Sequence, residues 1–157
     1  MIDRRRPGRR LGRCGRSART PPPPRAWACE PDGFEPNDAD AAEILIGSVQ
    51  VVLEDADALD RYFVLLPPGG PDQVSVSSGA ADLRVCAYAR CEGTTLAATV
   101  DCGEGLSGAS QDGYPGCCGR PTAAFDFACD IDGGTKIYID VSDGAADCTP
   151  YVLDVQR

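Results

Sequence analysis

Nine cysteines stand in this 157-residue chain, and eight of them, Cys29, Cys86, Cys91, Cys102, Cys117, Cys118, Cys129 and Cys148, lie beyond an arginine-rich N-terminal stretch that holds the ninth, Cys14. No other feature restricts the fold so much. None of the gaps is C-x-x-C, so the spacing of a zinc ribbon, zinc finger or thioredoxin-type site is missing. The even number fits a four-bridge disulfide framework made in an oxidising compartment, each bridge stabilising by about 2–4 kcal/mol. Reduction is therefore expected to unfold the chain. Cys117 and Cys118 cannot pair with each other, because a trans peptide sets their Cα atoms about 3.8 Å apart and an unstrained bridge needs roughly 4.4 Å or more. If their segment is extended, the two side chains leave on opposite faces, one bridge from each. Eight cysteines allow about a hundred pairings. Local closure suggests Cys91–Cys102 and Cys118–Cys129, with Cys29–Cys148 fastening the two ends and Cys86–Cys117 left over.

Charge divides the chain in two. Residues 1–25 carry nine Arg and one acid, Asp3, for a net +8, whereas residues 26–157 carry 23 acids against six bases, for a net −17. The first segment ends in Pro21–Pro24 and has almost nothing apolar to bury, so residues 1–28 read as a disordered Arg/Pro-rich tail. A run of Arg has three readings: a nucleic-acid arm, an export signal, or a stretch without function. The export reading has Arg pairs and a small-x-small pattern at Ala26-Trp27-Ala28 but no apolar core, as if the start had been assigned at the wrong place and a true signal lay upstream. A folded part at −17 would repel phosphate, so nucleic acid is not expected as a partner. Apolar runs are short, as at Phe63–Leu66, and no transmembrane segment is expected.

Period-two alternation of apolar and polar residues marks the strands. It occurs at Val74 and Val76, at Leu83, Val85 and Ala87, at Phe125 and Phe127, at Ile137, Ile139 and Val141, and at Tyr151, Leu153 and Val155. Ser48–Leu53 and Arg61–Leu66 are more continuously apolar and read as central strands. Turn signals separate these segments, among them Pro67-Pro68-Gly69-Gly70, Ser78-Gly79, Asp112-Gly113, Asp132-Gly133-Gly134 and Asp143-Gly144. Only Asp38–Leu45 reads as helix, capped by Asn37 or Asp38. The glycine-rich stretch from Gly103 to Gly119 has no periodicity and reads as a long loop pinned by Cys102, Cys117 and Cys118. Short strands about ten residues apart, without helical crossovers, predict an all-β fold: a disulfide-rich antiparallel β-sandwich over residues 29–157.

Catalytic constellations are scarce. The chain has no His, which excludes Ser/His/Asp and Cys/His nucleophiles and His-ligated metals. Glu35-Pro36-Asn37-Asp38, with the only Asn in the chain, and the acidic cluster Glu54, Asp55, Asp57 and Asp60 could together supply the oxygen ligands that Ca²⁺ takes; solvated acids with Asn37 as a helix cap are the plainer alternative. Asp130-Ile131-Asp132-Gly133-Gly134 has the opening of an EF-hand loop but not its Gly at the sixth position, and a hairpin turn fits better. A carboxylate hydrolase would have to pair Asp57 with Asp60 or Asp130 with Asp132 in a cleft.

A Cys (Cys29) followed by Phe34-Glu35-Pro36-Asn37-Asp38, then Asp60-Arg61-Tyr62-Phe63-Val64, and finally Cys148-Thr149-Pro150-Tyr151-Val152-Leu153 resembles the bacterial pre-peptidase C-terminal (PPC) domain, in particular its cysteine-rich versions in secreted bacterial proteins. The resemblance spans residues 29–157. It implies a jelly-roll-like β-sandwich in exported proteins, usually appended to peptidases or other secreted enzymes and not itself catalytic. In the related collagen-binding domains the corresponding segments contribute to a Ca²⁺ site, which nominates Glu35, Asn37, Asp38, Asp57 and Asp60 as ligands. This chain is expected to depart from the usual setting, in which a peptidase precedes the domain, and it adds eight cysteines.

These observations lead to a secreted or cell-envelope module, expected to be monomeric and without enzymatic activity, that binds an extracellular protein or glycan and is stabilised by disulfides, with Ca²⁺ as the one candidate cofactor. Glycan binding would use exposed aromatic side chains. Tyr88, Tyr114 and Tyr138 are the candidates because they fall off the apolar faces, although cross-strand packing is the commoner use of such Tyr.

Overall fold

The computed structural model of the chain describes residues 30, 32–54, 58–68, 73–129, 133–144 and 148–157. Its strands are β1 (Ala42–Glu43), β2 (Gly47–Leu53), β3 (Asp60–Leu66), β4 (Gln73–Ser77), β5 (Arg84–Cys91), β6 (Thr99–Asp101), β7 (Leu106–Ala109), β8 (Pro115–Gly119), β9 (Thr122–Ala128), β10 (Thr135–Ser142) and β11 (Thr149–Gln156). They form two sheets, ordered β1-β3-β10-β5-β8-β7 and β2-β11-β4-β9-β6. With the short edge strands β1, β6 and β7 set aside, eight strands remain. Numbered afresh in chain order, they lie 2-7-4-5 in one sheet and 1-8-3-6 in the other, all antiparallel, which is the order of a jelly roll. The predicted sandwich is thus the observed one.

Alternation explains why these segments pair as they do. Every second residue of β10, from Thr135 to Val141, is buried, and β9 repeats the pattern at Ala123, Phe125 and Phe127. The core is a single cluster between the sheets in which Leu53, Tyr62, Val64, Val74, Ile137 and Leu153 are among the most buried side chains. Burial of each such aliphatic side chain contributes about 1.5–3 kcal/mol.

Three bridges are defined among the described residues: Cys86–Cys118, Cys91–Cys129 and Cys102–Cys117. All three differ from the pairs that local closure suggests, Cys91–Cys102, Cys118–Cys129 and Cys86–Cys117. Register is the reason. In the β5–β8 ladder Cys86 stands opposite Cys118, while Cys117 stands opposite Ala87. Cys117 and Cys118 do leave on opposite faces, as an extended segment requires: Cys117 points into the core and joins Cys102 after β6, whereas Cys118 points outward to Cys86. Cys91–Cys129 and Cys102–Cys117 therefore tie one sheet to the other, and Cys86–Cys118 ties two strands within a sheet. Cys148 is also disulfide-bonded; the expected partner, Cys29, lies outside the described residues.

Three further expectations are corrected. Asp38–Leu45 is not helical; it contains β1, which pairs parallel with β3, Ala42 against Tyr62, and Ile44 N–H donates to the Phe63 carbonyl at 2.9 Å. Eight residues are too few for an isolated helix to hold on propensity alone, and docking on a sheet edge buries Ile44. Gly103–Gly119 is not a loop, since it contains β7 and β8. Gly116 serves close approach: a Cβ there would come to 2.0 Å from the Ala87 carbonyl oxygen. Finally, β2 is an edge strand rather than a central one. Its exposed ladder is capped by Asp32, whose carboxylate accepts from Val52 N–H and Phe34 N–H, both at 2.9 Å.

Candidate functional site

The residues nominated for calcium gather at one end of the sandwich. Asn37 and Asp60 are buried, Glu35 is half-buried and Asp38 exposed, while Asp57 lies outside the described residues, as do Asp55, Asp130 and Asp132. The two tyrosines that β3 and β11 send inward complete the group. Tyr151 Oη donates to Asp60 Oδ2 at 2.8 Å, Tyr62 Oη lies 3.1 Å from Tyr151 Oη, and Tyr62 is also 3.4 Å from Asp60 Oδ2. With its amide turned to satisfy both neighbours, Asn37 donates to both Glu35 oxygens at 3.2 Å and accepts from Tyr62 at 3.1 Å. Phe34 meets Tyr62 edge-on, with ring centroids 5.9 Å apart.

Electrostatics here are set by desolvation. Burial pushes Asp60 up to about 7; the hydrogen bond from Tyr151 pulls the other way, and the like charges of Glu35 and Asp32 add to the rise. Glu35 is raised by burial as well, with Glu54, Asp32 and Asp38 contributing repulsion. Burial carries both tyrosine hydroxyls above the ordinary phenol range, so they remain donors at neutral pH. Ca²⁺ would need several of these oxygens turned to one point. They are instead occupied by protein donors: Asp60 Oδ2 by the Tyr151 hydroxyl, Asp32 by two backbone N–H groups and Glu35 by Asn37. Among the described residues no group of three or more acidic or thiol side chains is placed to hold a metal ion. As they stand, the described donors are taken up in a hydrogen-bonded network rather than turned to one point.

A second constellation lies on the outer face of the larger sheet, and strand register builds it. One row across the sheet reads Phe63, Tyr138, Tyr88, Gly116 and Gly108 on β3, β10, β5, β8 and β7; the next reads Arg61, Asp140, Cys86, Cys118 and Leu106. Three aromatic side chains thus stand side by side next to the outward disulfide. Tyr88 is covered by the two glycine-bearing strands and is only 6% exposed, which corrects its expected role as an exposed ligand contact. It supports the face instead: Cys86, Tyr88 and Cys118 form a small satellite core on which Tyr114 and Tyr138 pack.

Tyr114 and Tyr138 remain half-exposed and come together, their rings stacked at 5.4 Å and 10°. Tyr114 arrives from the β7–β8 turn. The Asp112-Gly113 signal makes that turn: Gly113 takes φ +81°, its N–H reaches the Ser110 carbonyl at 3.0 Å, and Ser110 Oγ accepts from Tyr114 N–H at 3.0 Å. Arg90 lies over the Tyr114 ring at 5.5 Å and donates to Tyr138 Oη at 3.4 Å, and Lys136 Nζ sits 3.8 Å above Phe63.

The result is a groove of about 300 Å³. Arg61, Phe63, Lys136, Tyr138 and Asp140 form its floor, and residues 39–41 and 110–112 form its walls. Arg61 and Asp140 lie 3.8 Å apart across the floor. Burial raises Asp140, and Arg61 and Arg84 counter the rise. Of these groups the sequence nominated Tyr114 and Tyr138 but missed Arg61, Phe63, Lys136 and Asp140. Their signal is the outward-facing half of the same alternation that defines the core.

No known protein-family profile matches the chain, and no curated protein sequence matches it. Among solved structures, the chain is similar to CorA, described as a surface-associated copper-binding protein important in copper acquisition by Methylomicrobium album BG8. The likeness covers 74% of this chain and 98% of that one at 7% identity and a TM-score of 0.40. At that distance it says nothing of what the present chain binds.

Proposed function

We propose that this chain is a non-catalytic binding module of the cell exterior and that the groove on the outer face of the larger sheet is its ligand surface. The groove carries the proposal. It is a recessed, rigidly braced aromatic and charged floor between two loop walls, on a sheet whose other face is the core. Solvent-facing rows of a sandwich need only be polar; here three rows and the β7–β8 turn carry stacked rings, cations held over rings, and a disulfide that fixes the strands beneath. Disulfides linking sheet to sheet support an oxidising location, secreted or at the envelope. The resemblance to PPC domains belongs to the same proposal. Among the described residues no helix is long and apolar enough to cross a membrane.

Absence of catalysis is part of the proposal. Its physical support is that Asp60, the described member of the carboxylate pairs considered for hydrolysis, is 1% exposed and bonded to the Tyr151 hydroxyl rather than set in a cleft. Arrays of soluble glycans and extracellular proteins, together with peptide, ester and glycoside substrates, test both halves. Saturable binding lost on changing groove residues, without turnover, is the expected result. Turnover by pure protein, or binding indifferent to every groove residue, defeats the proposal.

A further inference from the structure

We infer that the groove takes a neutral oligosaccharide, with the Tyr114–Tyr138 pair as its stacking platform and the Arg61–Asp140 pair as its hydroxyl clamp. This rests on the groove being the ligand surface and names the chemistry of what fills it.

Charge makes the first selection. Arg61 and Lys136 face the groove together with Asp40, Asp112 and Asp140. Two cations against three carboxylates neither attract a polyanion nor form a purely acidic trap for a polycation. Mixed donors and acceptors at close range suit a ligand whose own groups do both. A guanidinium donates only and a carboxylate accepts only, so the two side by side at 3.8 Å can bond neighbouring hydroxyls of one sugar, one receiving and the other giving a hydrogen bond.

Shape and stiffness make the second. A sugar ring presents a face of C–H groups; Tyr114 and Tyr138 cover one face of each other, so it is the outer surface their stack leaves half-exposed that receives the sugar. Tyr114 and Tyr138 are stacked on each other, Arg90 holds both, and Tyr88 with the Cys86–Cys118 bridge lies under them, so little side-chain freedom is left to lose on binding. A volume of about 300 Å³ sits at the lower end of ligand sites, of the size of one or two sugar rings. A folded protein partner would instead need roughly 800 Å² of accessible surface on this side, which a groove walled by residues 39–41 and 110–112 does not offer on its floor.

The test is calorimetric titration of the intact, oxidised chain with neutral cello-, chito-, manno- and xylo-oligosaccharides, with heparin fragments and an extracellular peptide library in parallel. Tyr114→Ala, Asp140→Asn and Asp112→Asn are the variants, and thermal melting reports their folding. The expected result is binding of at least one neutral series, little affected by salt, and weakened about tenfold or more by Tyr114→Ala and by Asp140→Asn. The exposed Asp112→Asn keeps the test open if either of the others melts early. Heparin or peptide binding that is sensitive to the same variants would overturn the neutral glycan while keeping the groove as ligand surface. Neutral-glycan binding untouched by all three variants would overturn the groove itself. No binding by any neutral series overturns the inference.

Discussion

Asp60 offers the sharpest quantitative test. Its carboxyl is 1% exposed, carries no cationic partner among its described contacts, and is pushed up to about 7 chiefly by burial. An unfolded Asp titrates near 4. A carboxyl raised in the folded state holds its proton more tightly there than in the unfolded chain, so between about pH 4 and pH 7 the folded state binds the extra proton and stability falls as pH rises. The rise of about three units, at about 1.4 kcal/mol each, sets the swing at about 4 kcal/mol across that window, levelling off above pH 7. Asp60→Asn keeps an acceptor for the Tyr151 hydroxyl and removes the charge. Urea unfolding of both proteins at pH 4.5, 6 and 7.5, in chelator and followed by far-ultraviolet circular dichroism, should show the variant gaining on the wild type by several kcal/mol as pH rises. A difference that stays constant, or that grows in favour of the wild type, would mean the carboxylate is welcome in the fold and would refute desolvation as the ruling cause. Repeating the series in millimolar Ca²⁺ should change nothing. A stabilisation in Ca²⁺ that Asp60→Asn abolishes would restore Glu35, Asn37 and Asp60 as a metal site.

Other consequences can be checked directly. Non-reducing peptide mapping should recover Cys86–Cys118, Cys91–Cys129 and Cys102–Cys117. Replacing Cys91 and Cys129 together by Ser opens a 38-residue loop and should cost about 4 kcal/mol by denaturant titration, against about 3 kcal/mol for the 15-residue loop of Cys102 and Cys117. Gly116→Ala drives a Cβ to 2.0 Å from the Ala87 oxygen and should cost about 3 kcal/mol or more. Gly108→Ala, whose Cβ meets Cys118 Sγ at 3.1 Å, should cost clearly less in the same thermal melts. Equal melting of the two glycine variants would show that β8 does not lie as close to β5 as the ladder requires.

Much of this fold was legible along the chain, because a strand with one face in a core must alternate, and Val74–Val76, Phe125–Phe127, Ile137–Val141 and Tyr151–Val155 do so. The opposite faces of Cys117 and Cys118 follow from the same pleat. Pairing and register were not legible. They depend on which strands meet after two sheets have closed, and a shift of one residue would have exposed Cys117 and buried Cys118. That is why local closure chose the wrong bridges. Gly108 and Gly116 looked like loop residues when they are the clearance under which β7 and β8 cross Tyr88, a demand made by a neighbour far away in sequence. Likewise, alternation alone put Tyr114 and Tyr138 off the core. Only the ladder of β3, β10 and β5 set Phe63, Tyr138 and Tyr88 in one row, brought Arg61 beside Asp140, and left a groove between a β1 edge and a β7–β8 turn that lie some seventy residues apart. Composition and period determined that this chain makes a disulfide-bound sandwich. Tertiary closure, which sets contacts between residues distant in the chain, decided which sulfurs meet and where a ligand can sit.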